Sequence, residues 1–135
     1  MSQENVELLD RALAAWNEGG VDATIDLYAE DAEFDISTVA LDYGPSPVGR
    51  NAVAQFYRYI EQLWSHPSIT PVEDIEPVGP HHVVVEVSVR GVSEVSEVEV
   101  EQRFVFAFGV RDGEIAWGGL FRTRAEALEA VGLRE

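Results

Sequence analysis

Residues 98–121 read VEVEQRFVFAFGVRDGEIAWGGLF, and the rest of the chain is understood from this stretch outward. Val100, Gln102, Phe104, Phe106, Phe108 and Val110 recur at every second position, the period of a strand with one covered face. Arg111-Asp112-Gly113-Glu114 then predicts a tight hairpin, because Asp-Gly tolerates the positive φ angles of a type I′ turn. Such a turn sets Val110 opposite Ile115, Phe108 opposite Trp117, Phe106 opposite Gly119 and Phe104 opposite Phe121.

The preceding segment, 83–90, alternates in the same way, and charge sets its expected register. Pairing Glu86 with Arg103 also places Arg90 opposite Glu99, giving two opposite-charge pairs on one face, each contributing roughly 0.2–1 kcal/mol. That register stacks Val83 on Phe106, Val85 on Phe104 and Val89 on Val100. One face then carries the valines, the phenylalanines, Trp117 and Phe121, with Gln102 as its one polar side chain. The other carries Glu86, Ser88, Arg90, Glu99, Glu101 and Arg103, followed by Val105, Ala107, Ala116 and Leu120. Glycines at 109, 118 and 119 supply curvature.

The apolar face needs a cover, and three helical stripes offer one. Ser2 can cap a helix over 3–18 with Val6, Leu9, Leu13 and Trp16 on one stripe, ended by Gly19-Gly20. Asp22 can cap a short second helix ending near Tyr28. Asn51 can cap a third through Trp64, with Val53, Phe56, Tyr57 and Ile60 inward. A strand is expected over 32–38, a Gly/Pro-rich loop over 40–49, and an edge or bulged segment over 70–78, where Pro71 and Pro77 fall. Thr123 and Glu126 form a capping box for a closing helix that Gly132 would stop. The expected fold class is α+β: a cone-shaped barrel in which a curved antiparallel sheet wraps around three N-terminal helices, with 1–135 as one domain.

Composition narrows the partners. The chain has 135 residues, is 46% hydrophobic, contains no cysteine and carries a formal net charge of −16. Disulfides and thiolate metal sites are excluded. Such a field repels nucleic acid and anionic membrane surfaces, so neither is an expected partner. No apolar run reaches the roughly 18 residues of a spanning helix, and the start of the chain has no signal-peptide pattern, which together point to the cytoplasm. His81 and His82 are strand neighbours that face opposite ways, and no helical histidine pair exists, so no metal site is expected.

A curved sheet against helices leaves a conical hollow. Trp16, Tyr28, Phe34, Tyr57, Gln102, Phe104, Trp117 and Phe121 are the expected lining of a pocket for a small, neutral, hydrophobic molecule, needing no cofactor. Gln102 either bonds a helix end or points at a ligand. Asp35 is the candidate general acid or base if a bulge turns it inward; on a regular strand Phe34 and Ile36 share the covered face and Asp35 points away. Tyr43 sits in the loop as a lid candidate.

The order of elements resembles the nuclear transport factor 2-like superfamily, and its SnoaL-like polyketide cyclase branch in particular. The matching stretches are AWNEGGVDATIDLYAEDAEFD, VGRNAVAQFY, VEVEQRFVFAFGVRDGEIAWGG and RTRAEALEAVGL. The resemblance implies a cone-shaped cavity and a homodimer through the outer sheet face. It implies cyclase-, isomerase- or hydrolase-like chemistry in some members and simple binding in others. The isomerase site does not carry over intact, because Trp16 lies near where the isomerases' first-helix tyrosine would be and the inward strand positions hold no acid.

Overall fold

The structure, a computed structural model, describes residues 2–39, 42–93 and 95–134, without the side chains of Ser2 and His66. The expected Ser2 cap and the first two positions of the 40–49 loop lie outside the described residues.

Helix α1 spans Ser2–Thr24 and buries Leu9, Leu13 and Trp16 along its expected stripe. It breaks at Gly20, whose φ of 66° and ψ of −144° lie where only glycine is comfortable. A 3-10 turn, Ile25–Leu27, leads into β1, Tyr28–Asp35. The second long helix, α2, covers Arg50–Leu63 and buries Val53, Phe56 and Tyr57. Its cap is Gly49, at φ 95°, and Asn51 falls one residue inside the helix. There follow β2 (Trp64–Pro71), β3 (Glu76–Val78), β4 (His82–Ser93), β5 (Glu99–Arg111), β6 (Glu114–Phe121) and α3 (Arg124–Arg134). Pro71 ends one edge strand and Pro77 sits in another, positions where a missing N–H costs no central ladder bond.

The sheet runs β1-β6-β5-β4-β2, with β3 also on β4. It is antiparallel from β2 to β6 and takes β1 in parallel against β6. The result is a strongly curled sheet closed over by the helices, the α+β cone expected from the sequence. Its inner face and the helices share one core around Leu9, Phe34, Ile36, Val53, Phe56, Val83, Val85 and Ile115.

Two expected registers change. On β4 and β5, Glu86 pairs with Val105 and Ser88 with Arg103, two residues from the charge-based register. An even slip keeps every side chain on its expected face. The charges still meet: Arg90 lies 2.9 Å from Glu101, and Arg103 reaches Glu86 diagonally at 3.8 Å. The second change does alter the faces. Val110 pairs with Ile115 as expected, but the next pair is Gly109 with Trp117, so Ala116 is an extra residue and β6 bulges there. Beyond the bulge Phe108 pairs with Gly118, Phe106 with Leu120 and Val105 with Phe121. Trp117 and Phe121 therefore face outward, where they pack with Val84, Val105 and Ala107.

Helix α3 is their cover. Glu126 N–H donates to Thr123 Oγ1 at 3.1 Å in the expected capping box, and the helix continues through Gly132 to Arg134. Ala127 and Val131 press on Trp117 and Phe121, and the Arg134 guanidinium stacks 4.6 Å from the Trp117 ring. The closing helix thus covers part of the outer face, which was expected to meet solvent or a second subunit.

Candidate functional site: an aromatic cavity backed by a tyrosine pair

Between α2, the segment after β1 and the inner sheet lies a cavity of about 760 Å³. Its size is typical of small-molecule sites, roughly 300–1,000 Å³. Phe34, Phe56, Tyr57, Phe104 and Phe106 form its aromatic wall. These rings pack mostly edge-on or tilted, with Phe34 centred 5.4 Å from Tyr57 and 5.8 Å from Phe56. Tyr43 comes from the segment after β1 and sets its ring 5.0 Å from both Phe56 and Tyr59, forming part of the rim.

The expected lining divides into three groups. Phe34, Tyr57, Gln102 and Phe104 do line the cavity. Trp16 and Tyr28 are buried behind it: Trp16 packs 5.3 Å from Tyr57 and donates its Nε1–H to the Pro67 carbonyl at 2.8 Å. Trp117 and Phe121 lie on the outer face because of the Ala116 bulge. Gln102 was expected on a covered face and is instead exposed at the cavity mouth, where water can satisfy its amide.

Asp35 follows the alternation of its strand. Phe34 is buried in the core, while half-buried Asp35 turns to the other face. Its Oδ1 accepts from the Ser37 N–H at 2.9 Å and the Ser37 hydroxyl at 2.6 Å, a local turn at the strand end. Among the described residues, Asp42 is the carboxylate that lines the cavity, and it was not singled out in the sequence. Arg122 was also missed. The bulge returns Leu120 and Arg122 to the inner side, next to Phe106 and Phe104, and both line the cavity.

Behind the aromatic wall, Tyr57 joins Tyr28 in a buried polar pair. The Tyr28 and Tyr57 hydroxyls bond each other at 2.8 Å in a buried setting. Burial pushes the Tyr28 phenol well above its ordinary range, an effect partly opposed by the Tyr57 hydrogen bond. Burial, reinforced by the neighbouring Tyr28, pushes Tyr57 up too. Both phenols are therefore neutral at physiological pH and act as hydrogen-bond groups rather than bases. The two hydroxyls carry two protons, and their mutual bond uses one. With Tyr28 as its donor, the Tyr57 O–H remains for an acceptor on a bound molecule.

Among the described residues no group of three or more His, Asp or Glu side chains converges as metal ligands would. No helix is long and apolar enough to cross a membrane.

A helix-backed curled sheet around an aromatic hollow is the ketosteroid isomerase-like, or NTF2-like, architecture. Within that class the chain belongs to the SnoaL-like domain family, whose model matches residues 9–117. A candidate polyketide cyclase from Xanthomonas campestris superposes with a TM-score of 0.72 at 24% identity, covering 96% of this chain and 98% of that one. SalBIII, an epoxide hydrolase/cyclase-like enzyme of pyran ring formation in salinomycin, gives a TM-score of 0.75 at 19% identity, over 91% of this chain and 93% of its own. A ketosteroid isomerase-like protein from Catenulispora acidiphila, in complex with trimethylamine, gives 0.73 at 17% identity over 93% and 92%. At these identities the likeness is one of fold. No curated protein matches the sequence.

Proposed function

We propose that this protein binds a largely apolar small molecule, uncharged along the body that the aromatic wall encloses. One observation carries the reading: a cavity of about 760 Å³ walled by phenylalanines and by Tyr57, whose hydroxyl is bonded to Tyr28 behind the wall. The wall excludes water from an apolar ligand, at about 25 cal/mol per Å² covered. The spare tyrosine proton suits a carbonyl or ether oxygen at the ligand's inner end. A SnoaL-like family membership and cyclase- and hydrolase-like fold neighbours are in keeping with such a ligand.

Native mass spectrometry of the purified protein, followed by organic extraction, tests this directly. A retained apolar compound, or a thermal shift with hydrophobic ketones or epoxides, is the expected result. An empty protein without any shift across that set would overturn it and favour a partner-binding module.

Binding without chemistry is the reading the geometry favours, since Asp35 turns away from the cavity and is held by Ser37. Cofactor-independent acid–base chemistry has one observation in its favour, the Asp42 carboxylate at the cavity wall. Asp35 could serve only after leaving both Ser37 bonds. Turnover by wild type and not by D42N, on any ligand extracted, would establish the catalytic reading.

The assembly proposed is a homodimer in the cytoplasm, joined through the part of the outer sheet face that α3 leaves open around Ser88, Arg90 and Glu101. There the Glu101 carboxylate accepts from the Ser88 hydroxyl at 2.6 Å and from Arg90 at 2.9 Å. Sedimentation at micromolar concentration should return twice the chain mass of 14.9 kDa, and a clean monomer would refute it.

A further inference from the structure

The sheet places an arginine on the cavity wall. Val105 pairs with Phe121, so the residues beyond them, Phe104 and Arg122, return together to the inner side, and both line the cavity. Arg122 donates from Nε and Nη2 to one acceptor, the Thr38 carbonyl, at 2.8 and 2.6 Å. Those two hydrogen bonds to a backbone oxygen fix the plane of the guanidinium, and among the described residues no carboxylate pairs with it. Other arginines of the sheet and its ends have carboxylate partners: Arg90 meets Glu101 at 2.9 Å, Arg103, which also lines the cavity, meets Glu86 at 3.8 Å, and Arg111 and Arg124 pair with Asp31 and Glu76. In a chain with 25 acids and nine bases, an arginine without such a partner among the described residues, on the wall of an apolar cavity, is out of keeping with its surroundings.

The nearby acids are accounted for. Glu126 uses Oε1 on the Arg122 backbone N–H at 3.3 Å and on Thr123, in the cap of α3. Asp42 lines the same cavity, and the guanidinium bonds given for Arg122 go to Thr38. Gln102 adds a neutral amide at the same mouth. Beyond its Thr38 bonds, the guanidinium still has N–H groups for an anion, the geometry in which arginine holds carboxylates. The chain's net charge of −16 opposes anions at long range, but salt limits that repulsion to a Debye length of about 8 Å.

Resting on the cavity-binding reading above, we propose that the ligand is amphipathic: an apolar body in the aromatic wall, and a carboxylate or comparably acidic oxygen held at the mouth by Arg122. Solvent reaches this guanidinium, so the selectivity it confers is modest, about three- to tenfold.

The test compares 1-pyrenebutyrate with its neutral primary amide by fluorescence titration of the full chain at about 0.15 M salt. Wild type should bind the carboxylate about three- to tenfold more tightly. R122Q, which keeps a donor for Thr38, should bind both probes alike, while R103Q should keep the preference. The preference should also shrink as salt is raised, a readout that holds even if R122Q fails to fold. Equal binding of the two probes by wild type, or a preference lost in R103Q and kept in R122Q, would overturn the assignment while leaving the cavity reading intact. If neither probe binds, the cavity reading falls and this proposal with it.

Discussion

Gly118 lies face to face with Phe34: a Cβ at 118 would fall 2.8 Å from Phe34 Cδ2 and 3.0 Å from Phe108 Cδ1. The parallel pairing of β1 and β6 sets this contact, since Phe34 is the register partner of Gly118. Glycine here lets the Phe34 ring lie directly on the sheet and shapes the inner end of the cavity. Phe34 is 1% exposed, and both it and Phe108 would have to shift to admit a methyl group at 118. Gly118→Ala should therefore destabilise the protein by about 1–3 kcal/mol through overpacking. Urea denaturation measures this, and an unchanged midpoint would show that the close approach does not exist in solution.

The tyrosine pair predicts a non-additive cycle. Tyr57→Phe leaves the Tyr28 hydroxyl buried without its partner at a cost of about 1–3 kcal/mol. Tyr28→Phe does the same to Tyr57. Removing both hydroxyls leaves nothing unpaired, so the double variant should be less destabilised than the two single costs added together. Additive single costs would mean that the hydroxyls do not bond each other.

The same pair makes a pH prediction. Both phenols have folded-state values raised above the ordinary 10.0, so the folded state keeps its protons where the unfolded chain loses them. Their contribution is complete below about pH 10 and is lost as pH rises from there through the raised folded-state range. Stability of wild type should fall as pH rises from about 10 to 11.5, and the Tyr28→Phe/Tyr57→Phe double variant should fall less steeply. Urea midpoints across that range provide the measurement, and parallel curves for the two proteins would contradict it.

The outcome at Trp117 shows where the sequence stops being informative. Alternation of valine and phenylalanine along 83–89 and 104–110 identified both faces of β4 and β5, because burial repeats every second residue. It did not distinguish registers two residues apart, since such registers share faces, and the diagonal reach of Arg103 to Glu86 satisfied the charges in a register other than the one expected. The bulge at Ala116 was beyond reach. Gly118 and Gly119 announce curvature without saying which residue is extra, and the aromatics at 117 and 121 suit either face. Their cover was equally ambiguous, because α3 is short and its apolar side chains Ala127 and Val131 are small. Arg122 follows from the bulge alone: once Leu120 turns inward, the residue two further on must do so as well. Asp35, by contrast, was legible from strand alternation, and its Ser37 bonds explain how it stays outward.

Gly20 supports the last prediction. At φ 66° and ψ −144° it joins the long part of α1 to the helical turn that follows, in a backbone region that costs a side-chain-bearing residue about 1–3 kcal/mol. A Cβ there would also run into the Glu61 carboxylate. That carboxylate accepts the Val21 N–H at 3.3 Å, satisfying a donor at the start of the new turn and tying α1 to α2 beneath the cavity. Gly20→Ala should thus lose backbone ease and a hydrogen bond together, about 2–4 kcal/mol in all. Glu61→Gln keeps an acceptor and removes only the charge, so its cost should stay near 0.5 kcal/mol, roughly that of one exposed charge at a helix N-terminus. Urea denaturation of the two variants separates the contributions. A Gly20→Ala protein as stable as wild type would mean that the chain passes 20 with an ordinary helical backbone, and the break between α1 and the turn would then need another cause.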